Sequence, residues 1–177
     1  MNLDGFILFD PLQNKRTDLP KENGNYIVTI RDITALPKHG CDIVTPLFRE
    51  HNVIYTGITS SGLRNRIGNQ HLGKNAGRST LRLTIGCLLG YTPIPRDKNN
   101  PENGMVRFNA GEEELLLAWM KENLLFYYLP NESPDALEAE LIAHLNPPLN
   151  LMKNYNPVNQ DYRQVIRALR AKKSWRV

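Results

Sequence analysis

Two groups of residues in this chain have the types and spacing to do chemistry. In the stretch VIYTGITSSGLRNRIGNQH, residues 53–71, Tyr55 lies in a run of β-branched and aromatic residues that ends at a Gly57–Gly62 turn region. Leu63 and Ile67 follow one turn apart, which predicts a short helix with these two on its inner side. Arg64 and Arg66 then leave the sheet edge at a fixed height above the turn. A phenol at a strand end and a guanidinium a helical turn later can face one small, polar, anion-sized space. The second group centres on Glu138, which falls inside the apolar stripe of Leu137, Leu141, Ile142 and Leu145. A carboxylate on a core-facing stripe is costly unless it is paired or binds a cation. Glu138 therefore reads either as half of a structural Arg–Glu pair or as a metal ligand or general acid/base at a cleft.

Several other chemistries are set aside by spacing. Gly57 and Gly62 have the interval of a phosphate loop, but Leu63 and Arg64 stand where its Lys-Ser/Thr pair belongs. The four histidines, His39, His51, His71 and His144, form no HExxH and no close pair. GITSSG is not a nucleophile elbow, and no glycine-rich dinucleotide fingerprint follows a strand. Cys41 and Cys87 share no local motif, so free buried thiols are expected and not a disulfide or zinc framework.

The charge distribution is more informative than the net +4. No acidic residue lies between Glu50 and Asp97, whereas Arg64, Arg66, Lys74, Arg78, Arg82 and Arg96 do. From Val158 onward Arg163, Arg167, Arg170, Lys172, Lys173 and Arg176 face the single acid Asp161. Two basic blocks on a nearly neutral body fit either a polyanion partner or a solvated basic face. No apolar run is long enough to span a bilayer and the start lacks a basic signal-peptide region, so no membrane partner and a cytoplasmic location are expected.

The elements that must position these groups follow from local patterning. Residues 1–23 read as an irregular lead with a short strand at 6–9. Gly24–Ile30 alternates as a strand, with Tyr26, Val28 and Ile30 on one face and Ile27 and Thr29 on the other. Residues 31–50 make a long connection with a short strand at 43–45. After the 53–58 strand and the Leu63 helix, residues 74–77 form a basic loop, and Ser79 or Thr80 caps a helix over 81–89. Residues 91–104, rich in Pro and Asn, read as a surface loop. A helix over 112–124 carries Leu115, Leu116, Trp119 and Met120 at helical spacing, and a third strand covers 125–129. Ser133 caps the next helix, with Pro134 first in it. Gln160–Ala171 forms a final helix with Tyr162, Val165, Ile166 and Leu169 inward and its arginines outward, and Trp175 reads as a late core anchor.

Assembled in order, these residues resemble the GIY-YIG nuclease superfamily. Gly24-Asn25-Tyr26 stands at the first signature triplet and Tyr55-Thr56-Gly57 at the second. Leu63-x-x-Arg66 matches the arginine of the first helix. Leu137-Glu138-x-x-Leu141-Ile142, followed by Pro148-Leu149-Asn150, is similar to the metal-binding glutamate and downstream asparagine of the family. Asn25 and Thr56 replace the isoleucines of the triplets, at positions whose side chains point away from the tyrosines. Ile58 stands where some members place a lysine that helps activate the attacking group, so this position cannot supply that role. His71 lies one residue from the place of a histidine in some restriction-enzyme members, and it is added to the candidates.

The resemblance implies an α/β (α+β) fold, a three-stranded antiparallel sheet flanked by helices with helical insertions. The nuclease domain is expected over residues 1–157, with a basic C-terminal helix, 158–177, packed on it. The implied activity is endonucleolytic hydrolysis of phosphodiester bonds with one divalent metal, Mg²⁺ or Mn²⁺, held by Glu138. Arg66 would donate to the phosphate, Tyr26 would orient or deprotonate the attacking water, and Tyr55 would hydrogen-bond the phosphate or the water. Arg64, Lys74, Arg78, Arg82 and Asn150 complete the expected substrate-binding set, although Asn150 also reads as fixing the loop below Glu138. The expected partner is nucleic acid, double-stranded DNA first. A catalytically silent binding module on the same scaffold, or a nuclease of RNA or branched DNA, are the alternatives.

Overall fold

Three long antiparallel strands carry the architecture, and their residues explain why. The computed structural model describes residues 3–172 of the chain. Strands β1 (Ile7–Phe9), β2 (Gly24–Ile30), β3 (Leu47–Phe48), β4 (His51–Thr59) and β7 (Leu124–Pro130) form one sheet in the order β1-β7-β2-β4-β3. The expected β4-β2-β7 core is present, and two short edge strands extend it. β3 lies at Leu47–Phe48, not at 43–45, where it closes a tight turn with His51 and Asn52 of β4. A small hairpin of β5 (Ile94–Pro95) and β6 (Val106–Arg107) interrupts the stretch expected to be loop.

β2 is buried along its whole length because helices cover both faces of the sheet. Its alternation sorts the core as the pattern predicts. Tyr26, Val28 and Ile30 join Phe126, Leu81, Ile85, Leu116, Met120, Tyr162 and Ile166 on one side. Ile27 joins Val53, Tyr127, Leu141 and Leu145 on the other. The first side is covered by α1 (Thr80–Leu88), α2 (Ala110–Asn123) and α4 (Gln160–Ala171), and the second by α3 (Pro134–Leu145).

Local signals act as expected at one cap and differently at another. Ser79 caps α1, its hydroxyl accepting from Arg82 N at 3.0 Å. Ser133 precedes α3 without a side-chain cap bond, so Pro134 in the first turn marks that start. Leu115 is exposed while Glu113 is buried, so α2 is rotated relative to the expected stripe. Arg163 of α4 is buried, not outward, with its guanidinium donating to the carbonyl of Asn156 and to Asn146 Oδ1. Cys41 and Cys87 are free thiols, Cys87 buried and Cys41 half-buried. No helix among the described residues is long and apolar enough to cross a membrane. Trp175 lies outside the described residues.

Candidate active site

Tyr26 stands at the centre of the polar cluster on the helix-rich face. Its cross-strand partner on β4 is Gly57, and a Cβ there would come 2.4 Å from the Tyr26 hydroxyl. The tyrosine ring lies over the glycine, so this pair of triplet positions is a packing requirement. Gly24 is restricted in the same way, since a Cβ would meet the Leu129 carbonyl oxygen at 2.2 Å.

Tyr55 shares this face because it pairs with Val28, two residues from Tyr26, and an irregularity in β4 begins just beyond it. Val28 pairs with Tyr55 but Thr29 pairs with Val53, which leaves Ile54 as an extra residue, a β-bulge. The Tyr26 and Tyr55 rings stand 6.3 Å apart at 31°. Beyond the bulge, Asn150 serves as a missing strand. Its Oδ1 accepts from Thr56 N at 2.9 Å and its Nδ2 donates to Thr56 O at 2.9 Å. One lone pair and one N–H of that amide are engaged, so Asn150 holds the loop after α3 against β4, as the sequence also suggests, and it lines the cavity that Glu138 faces.

The helix after Gly62 differs from the short α-helix expected. Residues Arg64–His71 are wound as a π-helix, closed by Leu72 N donating to Ile67 O, five residues back, at 2.9 Å. The wider turn brings His71, five residues after Arg66, round to the same side as that arginine. Arg66 Nε donates to Tyr26 Oη at 3.1 Å, and His71 Nε2 lies 2.9 Å from the same oxygen. Arg66 Nη1 donates to Gln70 Oε1 at 2.6 Å, so Gln70 fixes the plane of the guanidinium. His71 Nδ1 lies 2.6 Å from Ser79 Oγ. Neither Ser79 nor Gln70 was singled out for the site from the sequence; Ser79 reads there only as a cap.

Electrostatics follow burial. Loss of water, and then the adjacent Tyr55, push the Tyr26 phenol up, and Arg66 only partly opposes them. Tyr55 is raised by burial as well, with Arg66 again opposing. Burial, then the charges of Arg66 and Arg82, hold His71 well below its ordinary value. Burial works against the charge on Arg66, but the two phenols outweigh it and keep the guanidinium firmly charged. At neutral pH the cluster is two neutral phenols, a neutral imidazole and one cation.

Glu138 stands on α3, which covers the opposite face, and its carboxylate opens into a cavity of about 580 Å³ at the β4 side of the sheet. Tyr55, Leu83, Lys153, Arg167 and Arg170 also line that cavity. Among the described residues the Arg–Glu pair considered from the sequence is absent: Glu138 Oε2 bonds Lys153 Nζ at 2.8 Å, with Lys153 60% exposed and Glu138 14%. Lys153, on the loop after Asn150, had no signal in the sequence, because no pattern connects a loop lysine to a helix glutamate. Among the described residues no three His, Cys, Asp or Glu side chains gather to hold a metal. A metal at Glu138 would therefore have one charged protein ligand. That donor set fits Mg²⁺, which keeps several waters and is held by one or two carboxylates together with substrate phosphate.

The remaining basic candidates separate. Arg82 is fully buried and pairs with Glu113, Nε to Oε2 at 2.8 Å, so it cannot meet a substrate as expected. Arg64 is also redirected: its guanidinium donates to Leu19 O and Thr17 O, each at 2.7 Å, and ties the N-terminal lead to the π-helix. Lys74 is exposed and paired with Glu114 at 3.1 Å. Arg78 is exposed, and its carbonyl accepts from Arg66 Nη1 at 3.3 Å.

The arrangement is a phenol–guanidinium–imidazole cluster on a sheet face beside a carboxylate-bearing cleft, an arrangement suited to a phosphodiester. A family model for the GIY-YIG catalytic domain matches residues 24–172, and the chain belongs to that family. Membership implies nuclease-type function and a nucleic-acid substrate in general. No curated protein and no solved structure matched the chain.

Proposed function

We propose that this protein is a metal-dependent DNA endonuclease whose site is formed by Tyr26, Tyr55, Arg66 and Glu138. The observation that carries the reading is the Tyr26 oxygen, which has Arg66 Nε and His71 Nε2 at 3.1 and 2.9 Å in a fully buried setting. A core tyrosine needs one partner; two nitrogens converging on it, one a held cation, suit a group that meets developing negative charge.

In this reading the phosphodiester lies over Tyr55 at the cleft, with Glu138 on one side and Arg66 on the other. Arg66 donates to a non-bridging oxygen, a charge-assisted bond that strengthens as charge builds there. Tyr55, at the cleft wall, donates to the phosphate or positions the attacking water. Tyr26 acts as a protonated phenol that orients its neighbour, because burial raises it beyond the reach of a general base at neutral pH. Glu138 would hold Mg²⁺ or Mn²⁺, exchanging its lysine partner for the ion. Such an ion would supply Lewis-acid polarisation of the phosphate and activation of water.

The expected substrate is double-stranded DNA. Exposed Arg78 and Arg167, with Lys74, would grip the phosphate backbone beside the cleft, Arg167 being presented by the basic helix α4. The test is nicking of supercoiled plasmid with Mg²⁺ or Mn²⁺, with a chelator and with Glu138→Ala and Arg66→Ala as controls. Metal-dependent nicking lost in both variants is the expected result. DNA binding without cleavage across several metals and across duplex, branched and RNA substrates would instead establish a silent binding module.

A further inference from the structure

The contacts of His71 leave its proton little choice. The imidazole is fully buried, stacked on Phe126 with ring centroids 6.1 Å apart, and faces two hydroxyls, Ser79 Oγ on Nδ1 and Tyr26 Oη on Nε2. The charged groups around it are Arg66 on its own helix and Arg82 on α1, both cations, and Tyr55 from β4 is a neutral phenol. A neutral imidazole has one N–H, so it donates to one hydroxyl and accepts from the other.

Ser79 decides which. As the cap of α1 its oxygen already accepts from Arg82 N at 3.0 Å, and the side chain is 2% exposed. If His71 also donated to Ser79 Oγ, the serine proton would point into the protein with no acceptor among the described residues. If Ser79 donates to Nδ1 instead, the serine proton and both imidazole nitrogens are used. The imidazole then carries its proton on Nε2 and donates to Tyr26 Oη. That oxygen also accepts from Arg66 Nε, so both its lone pairs are filled and the phenol's own proton is left for the remaining side, where Tyr55 is its side-chain hydrogen-bonding neighbour.

We propose that Ser79 is a positioning residue that sets the direction of a hydrogen-bond chain, Ser79 to His71 to Tyr26 to Tyr55, from the start of α1 to the cleft. His71 is then a donor to Tyr26 and not the base that takes its proton. The tautomer follows from the contacts alone, whereas its catalytic consequence, a Tyr26 proton delivered toward the phosphate, rests on the nuclease reading above.

The test reads the tautomer directly, by long-range proton–nitrogen correlation on the full chain labelled with ¹⁵N-histidine, the His71 signals being assigned by their loss in His71→Gln. The expected result is the Nε2–H form in the unaltered protein and in Ser79→Thr. Ser79→Asp keeps a good helix cap but can only accept, so it should move the proton to Nδ1. Ser79→Ala, without any hydroxyl, should lose the fixed tautomer. A wild-type imidazole in the Nδ1–H or doubly protonated form, or one unmoved by both Ser79→Ala and Ser79→Asp, overturns the proposal. Should Ser79→Asp fail to fold, Ser79→Ala against Ser79→Thr decides it alone. In the nicking assay Ser79→Ala should lower kcat by about tenfold or more with KM unchanged, and Ser79→Thr should restore it. An Nε2–H imidazole in a chain that cuts no DNA would remove the nuclease reading and leave the hydrogen-bond chain standing.

Discussion

Glu113 and Glu138 are both helix carboxylates close to basic side chains, yet they are built for opposite ends. Glu113 is buried and engaged at both oxygens. Its Oε1 accepts from Ala76 N at 2.8 Å and Phe108 N at 3.1 Å, and its Oε2 takes Arg82 Nε at 2.8 Å. Its backbone carbonyl accepts from Arg82 as well, so the acid and the arginine bind α1, α2 and the loop before α1 into one neutral, satisfied unit. Among the described residues Glu138 has one ion-pair partner, a mostly exposed lysine, and it stands at an open cleft. The difference teaches where to look for chemistry: a carboxylate at an open cleft with an exposed partner can exchange that partner for a ligand, and one closed in among buried partners cannot.

Interchanging the consequences of the two acids would break that comparison. Glu138→Ala should cost about 10³-fold or more in nicking while leaving the urea midpoint where it was. A stable variant with near-normal nicking would remove Glu138 from the site. Glu113→Ala should do the reverse, destabilising by about 3–5 kcal/mol because Arg82 is left buried and unpaired. Urea unfolding measures that loss, and nicking per folded molecule should persist.

A third prediction tests how dry the Tyr26 side of the cluster is. The ordinary histidine value is 6.5, and His71 lies well below it when folded, from burial first and the Arg66 and Arg82 charges next. Below that value the unfolded chain binds a proton that the folded chain refuses, so stability falls as pH falls. The slope from this residue reaches about 1.4 kcal/mol per pH unit. Urea titrations between about pH 7 and about pH 5 should show a shallower slope in His71→Gln than in the unaltered protein. Identical slopes would mean that the imidazole is hydrated and free to charge.

The smallest effect belongs to Lys153. Its pair with Glu138 is too exposed to hold the fold, so Lys153→Ala should leave the Tm unchanged. It should lower the Mg²⁺ concentration for half-maximal nicking a few-fold, since the ion no longer displaces an ammonium. A higher metal requirement would show that Lys153 assists the ion instead of competing with it.

Much of the fold was legible because it is written at short range. The alternation of β2, the serine cap of α1, the proline that opens α3 and the order Tyr26, Tyr55, Arg66, Glu138 all depend on neighbours within a few residues. The candidates that moved were those whose partners are distant. Arg82 and Arg66 have similar surroundings in the chain, yet Arg82 meets Glu113 at a separation of 31 residues and becomes interior. Arg64 is captured by carbonyls of the N-terminal lead, 45 and 47 residues away.

The amino-acid sequence by itself determined the three long strands, the faces they present and the four residue types that suit a phosphodiester, since backbone geometry imposes those periodicities locally. Only the tertiary structure decided which arginine stays available, that Glu138 opens to a cleft while Glu113 is closed in among buried partners, and that a π-turn carries His71 to Tyr26. Those outcomes depend on which buried polar group finds a partner across the fold, and a desolvated charge or hydroxyl accepts whatever neighbour packing brings within hydrogen-bond reach.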